Sequence, residues 1–219
     1  MTAVKVCGLT RASDAAAAVA VGADYVGVIF AGGPRQLTSA QALEVLTPAR
    51  GAARTVGVFG AAPPEDIGRV AGDVRLDVVQ LHGGAAASDV AELRRWFSGS
   101  IWVAVRAHDS TMPAEAMDLF DCADAVVLDA HRPGMLGGTG VALDWPRLAP
   151  TMPPARDRRA AFVLAGGLRA ANVADAVRIL APDIVDVSSG IERSPGMKDH
   201  EEMRAFTDAV RAAAAAPRS

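Results

Sequence analysis

Short runs rich in valine, isoleucine and other apolar residues alternate with alanine-rich, more polar stretches along the whole chain. The apolar runs are "AVKVCG" (3–8), "DYVGVIF" (24–30), "RTVGVFG" (54–60), "LDVVQLHG" (76–83), "SIWVAVRA" (100–107), "ADAVVLDA" (123–130), "RAAFVLAGG" (159–167) and "IVDVSSG" (184–190). Each reads as a strand. The runs show little strict alternation, as parallel strands covered on both faces do. Each is followed by a helix candidate: 11–22, 38–49, 63–74, 85–97, a weaker one near 112–120, 144–149, 169–181 and 198–216. Helix starts carry fitting caps, with Thr38 or Ser39 before the second and Pro63-Pro64-Glu65-Asp66 at the third.

Eight such pairs recur with a mean period of about 27 residues, the size of one βα unit. The pattern predicts a (β/α)8 TIM barrel spanning residues 1–219 as a single domain, with no interdomain linker. The competing fold is a doubly wound open sheet. Its first turn would carry a GxGxxG fingerprint, and "CGLTRAS" does not.

Composition narrows the function classes. Of 219 residues, 51% are hydrophobic, enough for a sizeable core. The net charge of −3 comes without a basic block, and only 5% of residues are aromatic. Neither fits nucleic-acid binding. No apolar stretch reaches bilayer-spanning length and no signal peptide is visible, so a soluble, cytoplasmic protein is expected. The two cysteines, Cys7 and Cys122, are too few for a disulfide scaffold and fit no zinc spacing; no metal site is expected. No exposed apolar helix face stands out, which favours a monomer.

In a (β/α)8 barrel, chemistry sits at the carboxyl ends of the strands, and alternate side chains point inward. Seven polar residues share the inward parity near those ends: Lys5, Cys7, Gln80, His82, Arg106, Asp129 and Asp186. A purely structural barrel would place aliphatic residues there, so the set points to a pocket. Gly166 and Gly167 follow the seventh strand. Ser188, Ser189 and Gly190 follow the eighth and open a short extra turn. Such glycine-rich turns let backbone N–H groups approach an anion, and these two loops form the usual phosphate site of the fold.

Cys7 and Asp129 end strands 1 and 6, across the barrel mouth from each other. A substrate held between them can lose a proton on one side and gain one on the other. Lys5, one layer below Cys7, either supplies the cation that lowers the thiol or pairs with Asp186. Position alone leaves Cys7 open between general base and small buried hydrophobe. Cys122 reads as packing. His108, His131 and His200 read as solvated surface residues. Lys198, Asp199 and Glu201 read as an ordinary charged helix start. Trp96, Trp102 and Trp145 read as packing residues.

The blocks "KVCGLTR", "GVIFAGGPRQLT", "VGVFG", "DVVQLHGG", "LDA…GGTG…DW", "LAGGL…NV" and "VDVSSGIERSPGMKD" occur in this order over essentially the whole chain. The series resembles the phosphoribosylanthranilate isomerase family of tryptophan biosynthesis. The resemblance implies an Amadori rearrangement of N-(5′-phosphoribosyl)anthranilate to the 1-deoxyribulose 5-phosphate product, without cofactor or metal. It implies Cys7 as general base and Asp129 as general acid. It implies Arg35 as the holder of the anthranilate carboxylate and Gly166, Gly167, Ser188, Ser189 and Gly190 as the phosphate cradle. Asp186 is expected to contact substrate hydroxyls, and Gln80 and His82 complete the expected substrate-binding set.

One departure stands in the second loop, where the family usually has Ser before Pro-Arg and this chain has Gly32-Gly33; a more mobile loop is expected there. "RPGMLGGTG" (132–140) suits a lid. Two competing functions remain to be separated. A histidine-pathway aminoaldose isomerase resembles an Asp/Asp pair at strands 1 and 5, where this chain has Cys7 and Arg106. A barrel that only binds phosphorylated ligands would need neither Cys7 nor Asp129.

Overall fold

In the computed structural model, which describes residues 1–107, 111–129 and 144–215, all eight apolar runs become strands of one closed parallel barrel. The strands are β1 (Ala3–Val6), β2 (Tyr25–Ile29), β3 (Arg54–Phe59), β4 (Val78–Leu81), β5 (Ser100–Arg106), β6 (Ala125–Asp129), β7 (Ala161–Ala165) and β8 (Ile184–Val187). They pair in chain order, and β8 closes on β1 with Lys5 opposite Asp186. The helices are α1 (Ala12–Ala20), α2 (Ser39–Leu46), α3 (Pro64–Val74), α4 (Ala87–Leu93), α5 (Glu115–Cys122), α6 (Trp145–Leu148), α7 (Ala170–Leu180) and α8 (His200–Ala215). The expected lid lies outside the described residues, as do His108 and His131.

Strand parity works as the sequence predicts. Val56, Val78, Trp102, Ala125, Val127, Val163 and Ile184 fill the barrel interior. The opposite parity packs against the helices in a second, larger core that includes Val4, Val6, Val26, Val103, Leu128, Leu164 and Val185. Trp102 and Trp145 are buried; Trp96 is not the packing residue expected, being 48% exposed after the end of α4. Only part of it packs, where its Cβ lies over Gly68 of α3. The second helix has its capping box: Thr38 Oγ1 accepts from the Gln41 N–H at 3.3 Å, and Gln41 Oε1 accepts from the Thr38 N–H at 2.9 Å.

The amino-terminal end of the barrel is pinned by a repeated device. The residue directly before each even-numbered barrel strand is an aspartate, and its carboxylate accepts a backbone N–H of the preceding odd strand. Asp24 takes Val4 at 2.8 Å and Asp77 takes Thr55 at 2.7 Å. Asp124 takes Ile101 at 2.6 Å and Asp183 takes Phe162 at 2.8 Å. Charge-assisted bonds of this kind fix register at the end away from the chemistry.

After β8 a 3₁₀ turn (Ser189–Ile191) leads into a small antiparallel hairpin, β9 (Glu192–Ser194) and β10 (Met197–Lys198), turned at Gly196. The expected helix start at Lys198 is therefore displaced. Lys198 is a buried strand residue, and α8 begins at His200, capped by Asp199, whose Oδ1 accepts from Glu201 at 2.9 Å.

Candidate active site

Gly8, directly after Cys7, has φ of +70°, a conformation that favours glycine. It turns the chain away at the end of β1. A Cβ at Gly8 would also meet Arg35 Cδ at 2.7 Å and Ser188 Oγ at 2.8 Å, so the stem of Arg35 and the hydroxyl of Ser188 both lie against this residue. The loop after β2 carries Arg35 there through Gly32 and Gly33, both with φ above +80°. The double glycine is thus the backbone requirement of this turn.

Below the rim, Lys5 is fully buried and donates to Asp186 Oδ2 at 2.7 Å. Of the two alternatives for Lys5, pairing with Asp186 is realised, and Cys7 still feels its charge. Burial works against the Lys5 ammonium, but Asp186 and Cys7 outweigh it and hold its pKa above the ordinary value. The Cys7 thiol is pushed up by burial, more than Lys5 and Lys198 pull it down. Gly27 of β2 makes room for this group: a Cβ there would stand 3.1 Å from Cys7 Sγ and 3.4 Å from Lys5 Cε.

Asp129 ends β6 on the inward parity, with β7 and β8 separating it from β1. Its Oδ2 lies 3.5 Å from His82 Nε2, just past the end of β4. Gln80, one layer lower, is buried. Gln80 Oε1, His82 Nδ1 and Asp186 Oδ1 are buried and have no hydrogen-bond partner among the described residues. Buried polar atoms are nearly always paired, so three orphans on one inward face mark a surface shaped for a polar ligand. Arg106 ends β5 on the same parity with its side chain exposed.

The two glycine loops meet. Gly166 and Gly167 have φ of +84° and +65°. A Cβ at Gly190 would lie 1.8 Å from the Leu168 carbonyl oxygen, so only glycine lets the turn after β8 close onto the loop after β7. The sequence reading missed what lies beneath. Lys198 Nζ donates to the Ser188 carbonyl at 3.0 Å and to Glu192 Oε1 at 2.9 Å, and lies 3.4 Å from Ser188 Oγ. Arg35 Nε donates to Glu192 Oε1 at 2.8 Å and Nη2 to Oε2 at 2.5 Å. Burial lowers the Lys198 pKa; Glu192 is held below the ordinary carboxylate value because bonds from Arg35 and Lys198 outweigh its burial. The signal was present in "ERSPGMK", where a Pro-Gly turn sets Glu192 and Lys198 on facing strands.

His200, expected on the solvated surface, is half exposed but has Nε2 2.8 Å from Oδ1 of the buried Asp14. Cys122 packs against the outer core as expected. Among the described residues, no three His, Cys, Asp or Glu side chains are grouped to hold a metal ion, and no helix is long and apolar enough to cross a membrane.

A closed parallel barrel with Cys7 and Asp129 at the carboxyl ends of β1 and β6, beside two glycine loops that meet after β7 and β8, has the layout of a barrel enzyme whose chemistry lies at that rim. Comparison with known proteins narrows the class. The family model described as N-(5′phosphoribosyl)anthranilate (PRA) isomerase matches residues 4–209. The N-(5′-phosphoribosyl)anthranilate isomerase of Pseudomonas fluorescens is 40% identical over 208 residues, covering 94% of this chain and 97% of that protein. The phosphoribosylanthranilate isomerase structure from Thermotoga maritima superposes with a TM-score of 0.85 at 32% identity, covering 97% of this chain and all of that one. A second structure of the Thermotoga enzyme, of monomers generated from its dimeric form, gives 0.80 at 32% identity over 96% and 99% of the two chains. A phosphoribosylanthranilate isomerase in complex with reduced 1-(o-carboxyphenylamino)-1-deoxyribulose 5-phosphate gives 0.81 at 30% identity over 97% and 100%. The chain belongs to the N-(5′-phosphoribosyl)anthranilate isomerase family, and it is an isomerase of tryptophan biosynthesis.

Proposed function

We propose that Cys7 and Asp129 carry out the Amadori rearrangement of N-(5′-phosphoribosyl)anthranilate in this chain. The observation that carries this reading is their placement. Each stands on the inward parity at the carboxyl end of its strand, on different sides of one rim, above a buried layer of polar groups. Asp129 donates its proton to the furanose ring oxygen. The C1′–O bond breaks as the anthranilate nitrogen lone pair forms the C1′=N⁺ bond of a Schiff base. Cys7, as thiolate, removes the proton from C2′, and the electron pair moves into C1′=C2′ to neutralise the nitrogen. The enolamine then tautomerises to the ketone, with a proton leaving the C2′ hydroxyl and one arriving at C1′.

The remaining roles follow from chemistry and position. The Arg35 fork suits the planar carboxylate of the anthranilate ring. Gly166, Gly167, Ser188, Ser189 and Gly190 cradle the phosphate with backbone N–H groups. Asp186, Gln80 and His82 offer their unpartnered buried atoms to the sugar. Burial holds the Cys7 thiol above its ordinary value, so the thiolate is a strong base when formed, and the rate rises with pH until Cys7 titrates.

Turnover followed by loss of substrate fluorescence tests this in Cys7→Ser and Asp129→Asn. Each substitution is expected to lower kcat by roughly 10²- to 10⁴-fold, with affinity for a phosphorylated product analogue nearly kept. A wild-type rate in Cys7→Ser would remove the general-base role; loss of analogue affinity without loss of kcat would reduce the pair to binding groups. The protein acts as a cytoplasmic monomer in this reading. Among the described residues, its exposed large apolar side chains are spread over different elements: Met1 before β1, Leu43 on α2, Trp96 after α4, Met117 on α5, Ile179 on α7 and Met197 on β10. Light scattering at micromolar concentration should return the mass of one chain, and a two-chain mass would overturn the monomer.

A further inference from the structure

The pair formed by Glu192 and Lys198 lies outside the eight barrel strands and outside the proton-transfer steps, yet it joins the two anion-binding arms of the site. Glu192 takes the Nε/Nη2 edge of the Arg35 guanidinium. A guanidinium has a second fork edge, Nη1/Nη2, and among the described residues Nη1 makes no hydrogen bond. Arg35 can therefore keep Glu192 and receive a ligand carboxylate at the same time, which an ammonium on a flexible stem could not do with the same planar geometry. Glu192 Oε1, which accepts from Arg35 Nε, also accepts from Lys198, which is buried and bonded to the carbonyl of Ser188 in the loop after β8. Two cations against one carboxylate leave this trio, with Lys198 buried and Arg35 partly exposed, with one net positive charge. The stem of Arg35 and the hydroxyl of Ser188 are both seated on Gly8.

We propose that Glu192 is a positioning residue for substrate recognition, holding the guanidinium of Arg35 by one edge so that its other edge faces the aromatic carboxylate, while Lys198 ties this arm to the phosphate loop. The proposal rests on the assignment of Arg35 to the anthranilate carboxylate and of the Ser188 loop to the phosphate. It makes Glu192, an anion, a requirement for binding another anion, because without it the long Arg35 side chain samples many rotamers and must be ordered on binding.

The test uses the full-length protein and two probes: reduced 1-(o-carboxyphenylamino)-1-deoxyribulose 5-phosphate, and the same compound without the ring carboxylate. Calorimetric dissociation constants are measured for the wild type, Glu192→Gln, Arg35→Ala, their double variant and Arg35→Lys. Glu192→Gln is expected to weaken the carboxylated probe by about 10- to 100-fold, the range of one charge-assisted bond, and to leave the carboxylate-free probe within about twofold. The double variant should bind the carboxylated probe no more weakly than Arg35→Ala alone, since both changes remove one interaction. Arg35→Lys should lose that probe as Arg35→Ala does, which keeps the test valid if Glu192→Gln fails to fold.

Equal weakening of both probes by Glu192→Gln would overturn the proposal, as would additive losses in the double variant or wild-type affinity in Arg35→Lys. If Arg35→Ala itself fails to discriminate between the probes, the carboxylate assignment falls and the proposal with it. If Arg35→Ala discriminates and Glu192→Gln does not, the proposal alone falls.

Discussion

Replacing Lys5 by methionine removes one half of the buried ion pair beneath the site while keeping most of the side-chain volume. In the native protein Lys5 Nζ lies 2.7 Å from Asp186 Oδ2, and Asp186 Oδ1 already has no partner among the described residues. Lys5→Met leaves the Asp186 carboxylate buried without its counter-charge. Deleting one partner of a buried pair while the other stays costs roughly 3–5 kcal/mol.

A cost of that size is a large share of the roughly 5–15 kcal/mol that holds a domain folded. At this chain length it lowers the melting temperature by about 6–20 °C. Urea and thermal denaturation measure it. The double variant Lys5→Met/Asp186→Leu should recover most of the loss, because an apolar pair of similar volume carries no desolvation cost. A single variant within about 1 kcal/mol of wild type would refute the reasoning, and so would a double variant no more stable than the single one. The same substitution withdraws the cation that pulls the Cys7 thiol down, so iodoacetamide alkylation of Cys7 should move to higher pH.

Gly27→Ala sets a Cβ 3.1 Å from Cys7 Sγ; kcat should fall by roughly 10- to 100-fold through misplacement of the thiol, with the circular dichroism of the native fold retained. Glu192 and Asp14 are held below their ordinary carboxylate values because bonds from Arg35 and Lys198, and from Arg11 and His200, outweigh the cost of burial. Their stabilisation is present above the ordinary carboxylate range near pH 4 and is lost as pH falls through the depressed values. Asp14→Asn should therefore flatten the acid limb of the stability curve. Lys5 and Cys7 are both raised, so their stabilisation is present below their ordinary values and is lost on the alkaline side, from above about pH 9. A stability curve unchanged between pH 7 and 11 would contradict that sign.

The alternation of valine-rich runs and alanine-rich stretches determined the barrel by itself, because parallel strands buried on both faces and amphipathic crossover helices leave a readable period. Parity along those strands determined which residues face inward: Lys5, Cys7, Gln80, His82, Asp129 and Asp186 stand where counting by twos places them. Which charges meet was decided only by the tertiary structure. Lys198 sits beside an ordinary helix-start sequence, and its burial under Ser188 depends on a hairpin that brings a segment near the carboxyl terminus back to the rim. Glu192 meets Arg35 across 157 positions of chain, and Asp14 meets His200 across 186. Local periodicity carries no trace of such pairs, because ion pairing between elements far apart in the chain is set by where barrel closure delivers them.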